Sequence, residues 1–162
     1  MKKLHVIATG GTIDKIYFDA MSEYEVGEPQ VVEIFREAQV AFEVTVESVL
    51  RKDSLEMTDA DRNLIRERAL ATPAERILIT HGTDTMIATA RALVGIAGKT
   101  IVLTGSMQPA RFRSTDAVFN IGTAVGAVQS LPPGVYLAMN GRVFDPACTR
   151  KNREQHRFEE IN

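Results

Sequence analysis

Val6-Ile7-Ala8-Thr9-Gly10-Gly11-Thr12 is a short apolar run with a β-branched centre that breaks into glycine and threonine. Ile77-Leu78-Ile79-Thr80-His81-Gly82-Thr83-Asp84 repeats the arrangement about seventy residues later, and Thr104-Gly105-Ser106 closes a third apolar run in the same way. Apolar runs this short predict buried strands. Each threonine then falls just past the carboxyl end of its strand, the edge at which open α/β sheets bind ligands. A glycine before the threonine lets the chain bend sharply and brings backbone N–H groups close to a ligand. Three polar, glycine-containing strand ends on one sheet are better explained by a shared site than by coincidence.

The rest of the chain fits around these strands. Lys15–Gly27 reads as a hairpin or loop. Pro29 opens a helix, and Val31, Ile34, Phe35, Ala38 and Ala41 follow helical spacing. Phe42–Leu50 alternates, with Val44, Val46 and Ser48 on one face, and predicts a strand. Thr58-Asp59-Ala60-Asp61 predicts an N-cap with acids in the first turn, opening a helix to about Ala71. Asp84–Ala97 and Thr115–Gln129 predict further helices, the first closed by Gly98. Arg76–Thr80, Thr100–Thr104 and Val135–Met139 predict strands, and Thr149–Asn162 reads as a solvated polar tail. Strands alternating with helices predict an α/β fold in one domain over residues 1–162, with three layers and helices on both faces of a mostly parallel sheet.

Bulk properties narrow the function. The chain has 162 residues, 44% hydrophobic and 25% charged, ordinary values for a globular protein. A net charge of −2 makes no electrostatic case for nucleic acid or an anionic membrane surface. Cys148 is the single cysteine, which fits a reducing compartment. The apolar stretch after Met1-Lys2-Lys3 stops at Gly10, too short for a signal peptide's core, and a cytoplasmic location is expected. The three histidines are scattered and no zinc-ligand spacing is present. G-x-G-x-x-G, the phosphate loop and the G-x-S-x-G elbow are all absent.

A threonine hydroxyl is a weak nucleophile and needs a base. That base has to be a lysine kept neutral, a tyrosine held as phenolate, or a histidine. His81 is near in sequence but reads more readily as a packed residue. His5 and His156 read as structural or solvated. Asp84 suits either the site or the first turn of the helix that follows it.

These motifs resemble those of the bacterial-type L-asparaginases, amidohydrolases with a threonine nucleophile. Ala8-Thr9-Gly10-Gly11-Thr12-Ile13 is similar to the family's first active-site signature, and Ile79-Thr80-His81-Gly82-Thr83-Asp84-Thr85-Met86 to its second. The resemblance implies Thr12 as nucleophile, and Thr83, Asp84, Tyr24 of Tyr24-Glu25-Val26-Gly27 and Lys151 as the other catalytic residues. It implies substrate contacts from Gly11, Ser54, Leu55, Gly82, Thr83, Asp84 and Ser106. Gly105-Ser106-Met107-Gln108-Pro109 and Asp116-Ala117-Val118-Phe119-Asn120 also fit.

The match covers the family's N-terminal domain, which implies a flavodoxin-like sheet and a short-chain member without the second domain. An acid such as Asp14, Glu23 or Glu25 would then serve Tyr24. Leu55 stands where the larger enzymes have glutamine, removing a substrate hydrogen bond worth roughly 1.5–3 kcal/mol. The expected reaction is hydrolysis of L-asparagine without a cofactor, by a homo-oligomer. A glutaminase or broader amidase, and a weakly catalytic amino-acid-binding domain, are the alternatives.

Overall fold

The computed structural model describes residues 1–18 and 23–161. The middle of the expected hairpin, 19–22, and the last residue of the expected tail, Asn162, lie outside the described residues.

Five parallel strands form the centre: β1 (Lys3–Gly10), β4 (Glu43–Lys52), β5 (Arg76–Thr80), β6 (Thr100–Thr104) and β7 (Gly134–Met139). The short β8 (Arg142–Phe144) adds antiparallel to β7, giving the order β4-β1-β5-β6-β7-β8. Counted by chain position, the parallel strands run 2-1-3-4-5, the flavodoxin-like order. The order reverses between β1 and β5, so the loops after these two strands diverge and open a crevice at the sheet's carboxyl edge.

Every residue of β6 is buried, as a strand covered on both faces requires. On one face Ile7, Ile77, Ile79, Ile101 and Leu103 pack against α2 (Asp59–Ala71) and α3 (Met86–Leu93). On the other, Leu4, Val6, Leu78, Val102 and Ala138 pack against α1 (Val31–Glu37) and α4 (Ala117–Ser130). The α2 start is a capping box. Thr58 Oγ1 accepts from the Asp61 N–H, and the Asp61 carboxylate accepts from the Thr58 N–H at 2.8 Å. Such a cap contributes about 1 kcal/mol.

Three expectations change. First, α3 ends at Leu93 rather than running to Ala97, because Val94 turns extended and Gly95 adopts φ +90°. Second, Asp84 caps nothing: the residue before α3 is Thr85, and no side chain caps that helix. Third, the polar tail is folded. β9 (Thr149–Asn152) and β10 (Arg157–Glu160) pair as an antiparallel hairpin, and Phe158 is buried in the core. The expected hairpin at Lys15–Gly27 forms, with β2 (Lys15–Phe18) antiparallel to β3 (Glu23–Val26).

Candidate active site

Thr12 opens a turn of 3-10 helix directly after β1, and Thr83 follows β5. Between them two backbones meet almost in contact. Gly11 has φ +88°, and a Cβ built on it would lie 2.4 Å from the Gly82 nitrogen. A Cβ on Gly82 would in turn lie 2.6 Å from Ser54 Cβ and Oγ. Only glycine permits this interlocking, which draws the two threonine loops together at the sheet edge.

The third contributor is the folded tail. Lys151 in β9 donates from Nζ to Thr83 Oγ1 at 2.8 Å and to Asp84 Oδ1 at 2.8 Å. Arg153 Nη2 approaches the same Asp84 oxygen at 3.6 Å. Lys151, which in isolation reads as a surface charge, is thus a half-buried partner of two residues nearly seventy positions away. A cavity of about 470 Å³ opens here, lined by Thr12, Thr83, Asp84, Met107, Gln108, Lys151 and His156. That volume suits a small molecule.

The wall and the hairpin are tied by a run of hydrogen bonds. Asp116 accepts from the Met107 and Gln108 N–H groups at 2.9 and 3.0 Å. Asn120 Nδ2 donates to Asp116 and to the Gly105 carbonyl. Asn120 Oδ1 accepts from the Asn140 N–H at 3.2 Å, and Asn140 Oδ1 accepts from the Phe158 N–H at 2.9 Å.

The other expected residues are not among those that line this cavity. Tyr24, half exposed in β3, packs edge-on against Tyr17 and at a tilt against Phe112, with ring centroids 5.7 and 5.8 Å away. Ser54 is buried against Gly82, its carbonyl accepting from Thr85 Oγ1 at 2.7 Å. Leu55 is 66% exposed. Ser106 is buried and donates to the Gln108 carbonyl. Gly11 and Gly82 shape the crevice through their backbones.

His81 is held by its surroundings. Its Nδ1–H donates to the Gly82 carbonyl at 2.7 Å, and Nε2 accepts from Thr89 Oγ1 at 2.8 Å. Complete burial pushes its pKa down to about 4, only partly opposed by the Gly82 carbonyl, so the ring is neutral and its lone pair is engaged. Asp14, two residues past Thr12 in the same turn, is also buried. Desolvation raises its carboxyl to about 7, against the opposing Gln30 N–H at 2.8 Å. His156 is not legible in the sequence as a site residue, because nothing distinguishes a histidine among charged residues until the turn that carries it is placed. Among the described residues, no group of three His, Cys, Asp or Glu could hold a metal ion.

The family model described as "Asparaginase, N-terminal" matches residues 3–161. A glutamyl-tRNA(Gln) amidotransferase subunit of Methanococcus maripaludis is 29% identical over 165 residues, covering 91% of this chain and 37% of its own. A glutaminase-asparaginase of Acinetobacter glutaminasificans is 31% identical over 160 residues, covering 86% of this chain and 46% of its own. The crystal structure of L-asparaginase I from Vibrio cholerae superposes with a TM-score of 0.84 at 28% identity, over 99% of this chain and 52% of that one. The chain therefore spans between about a third and a half of the length of the relatives it matches. With two signature loops meeting at the switch point of a matching fold, this chain belongs to the asparaginase family and corresponds to its N-terminal domain.

Proposed function

We propose that this domain hydrolyses L-asparagine to L-aspartate and ammonia through an acyl-enzyme on Thr12. The observation that carries the reading is that Thr12, Thr83, Asp84 and Lys151 line one cavity, with Lys151 bonded to both Thr83 and Asp84. Thr12 Oγ1 attacks the side-chain amide carbon. The new C–O bond forms as the carbonyl electrons move to oxygen; collapse of this tetrahedral oxyanion then breaks the C–N bond, and the hydroxyl proton ends on the leaving nitrogen, relayed by the Thr83–Lys151 pair. Water then attacks the ester, releasing aspartate and restoring the Thr12 hydroxyl. Backbone N–H groups of Thr12 or Thr83 receive the oxyanion, each donor contributing roughly 2.7–4 kcal/mol in comparable hydrolases, whereas the Gly11 N–H is already given to the Lys52 carbonyl at 2.9 Å. Asp84 receives the substrate's ammonium. Tyr24, outside the cavity lining, is the less direct proton acceptor in this geometry.

Thr12→Ala and Thr83→Ala should each abolish ammonia release while leaving the far-ultraviolet dichroism spectrum unchanged. Near-wild-type release from Thr12→Ala would overturn the assignment.

A second reading, L-glutamine as substrate, is favoured by the glutaminase-asparaginase among the relatives. One methylene discriminates by only about 1–3 kcal/mol. Ammonia release from both amides at matched concentrations decides between them. A third reading is amino-acid binding with little catalysis. Calorimetric binding of aspartate without turnover of any amide would establish it. Self-association is expected under the first reading, and the mass in solution tests it.

A further inference from the structure

The cavity that holds Thr12 and Thr83 has a neighbour. A second cavity of about 420 Å³ is lined by Ser114, Thr115, Asp116 and Asn140, and it shares Met107, Gln108 and His156 with the first. Its volume falls within the range of small-molecule sites. Met107 stands on the shared wall, and its sulfur lies 3.7 Å from Thr83 Oγ1. The second cavity therefore opens on the side of the proton-handling threonine. Asp84, which receives the ammonium, does not line it. Resting on the substrate reading above, the leaving nitrogen takes its proton from the Thr83–Lys151 pair and so departs beside Met107. A group carried on that nitrogen extends over Met107 and Gln108 into the second cavity.

The chemistry of the lining selects that group. Asp116 and Thr115 are spent on holding the wall. The Asp116 carboxylate accepts from the Met107 and Gln108 N–H groups and from Asn120 Nδ2. Thr115 Oγ1 donates to the Gln108 carbonyl and accepts from the Ala117 N–H. Ser114 Oγ, the Gln108 carboxamide, Asn140 Nδ2 and the His156 ring have no hydrogen-bond partner among the described residues. No lysine or arginine lines this cavity, and its carboxylate is already satisfied, so a charged group gains little there. An apolar group would take these polar atoms out of water without a partner, which is costly. Hydroxyl groups donate and accept at once, and so match all of them.

We propose that the site takes asparagine substituted on its side-chain nitrogen, with a small polyhydroxylated group lodged against Ser114, Gln108, Asn140 and His156. Collapse of the tetrahedral oxyanion breaks the C–N bond. The nitrogen leaves as the primary amine of that group, carrying the proton relayed from Thr12. Water then cleaves the Thr12 ester and releases the same L-aspartate.

Aspartate release reports every such substrate alike. One assay therefore compares L-asparagine with two derivatives, carrying 2,3-dihydroxypropyl or 2-methylbutyl on the side-chain nitrogen. The second replaces both hydroxyls of the first by carbon. The dihydroxypropyl amide should turn over with a kcat/KM at least equal to that of asparagine. The methylbutyl amide should fall about tenfold or more below it, since a site built to bond hydroxyls rejects the analogue that lacks them. Ser114→Val removes one hydroxyl and narrows the cavity. It should lower the ratio of dihydroxypropyl amide to asparagine kcat/KM about tenfold. A dihydroxypropyl amide poorer than asparagine, equal rates on the two derivatives, or a ratio unmoved by Ser114→Val overturns the proposal and leaves the hydrolase reading standing. If the wild type hydrolyses none of the three, the hydrolase reading fails and calorimetry decides on the second cavity. Tighter binding of the dihydroxypropyl amide than of asparagine, lost in Ser114→Val, upholds it, and equal or weaker binding overturns it.

Discussion

Lys151 Nζ donates to Thr83 Oγ1 across 2.8 Å, joining a hairpin at the end of the chain to the loop after the third parallel strand. The same Nζ holds Asp84, so a single side chain orients both Thr83 and Asp84 of the second signature.

Lys151→Met keeps the length of the side chain and removes its donor. The expected result is a fall in kcat of about 10²–10⁴-fold, the usual contribution of a positioned proton-transfer group. Ammonia release measured at saturating asparagine checks it, and a loss under threefold would remove Lys151 from the chemistry.

Asn140 supplies the acceptor for the Phe158 N–H and itself has φ +55°. Asn140→Gly retains that backbone while deleting the acceptor. It should destabilise the hairpin's attachment by about 1 kcal/mol. Hydrogen exchange at the Phe158 amide should then quicken severalfold, with rates in β5 and β6 unchanged. Equal protection in variant and wild type would show that the bond is dispensable.

Gly11→Ala adds a methyl group 2.4 Å from the Gly82 nitrogen at a backbone φ of +88°. The strain of a non-glycine residue in such a conformation is about 1–3 kcal/mol before the clash is relieved. A lower thermal midpoint and lost turnover are both expected. Gly126→Ala is the control: it lies on the exposed face of α4, with nothing within 4 Å of the added carbon. It should stabilise by about 0.5–1 kcal/mol. Thermal melts of the two variants should move in opposite directions.

Asp14 makes stability fall as pH rises. Burial raises its carboxyl from 3.8 to about 7, so between those values the native state holds a proton that the unfolded chain has released. The Asp14 contribution is full below pH 3.8, declines through that window and is gone above 7. Asp14→Asn keeps an acceptor for the Gln30 N–H and removes the ionisation. The variant should exceed the wild type above pH 7 by an amount on the order of 4 kcal/mol, with the gap closing below pH 4. Parallel melting-temperature profiles would refute this.

The parts of the fold legible in the sequence are those with a local cause. Arg76–Thr80 and Thr100–Thr104 end where apolar β-branched runs end, and α2 begins where Thr58 caps it. The early end of α3 is hidden because two glycines, Gly95 and Gly98, offer equivalent stops, and tertiary packing chooses the first. The β9–β10 hairpin is hidden for another reason. Its residues are mostly charged, and one buried phenylalanine, Phe158, is too little periodicity to announce a strand.

The site divides the same way. The Gly-Thr turns declare themselves by repetition. Ser54 keeps the family's residue type and Leu55 departs from it, yet the orientation of Ser54 depends on how Gly82 packs, which no local pattern encodes. His156 depends on a turn defined by distant partners.

The β9–β10 pair forms its own two-stranded sheet, separate from the six-stranded one. Its hold on the body through Asn140, Phe158 and Lys151 is slight beside the core of the main sheet. Regions with few buried apolar contacts open at a lower free energy than the core and do so as a unit. Catalytic competence would then have a melting point of its own. On warming, ammonia release should fade several degrees before the dichroism of the central sheet does, and it should return on cooling without the refolding of that sheet.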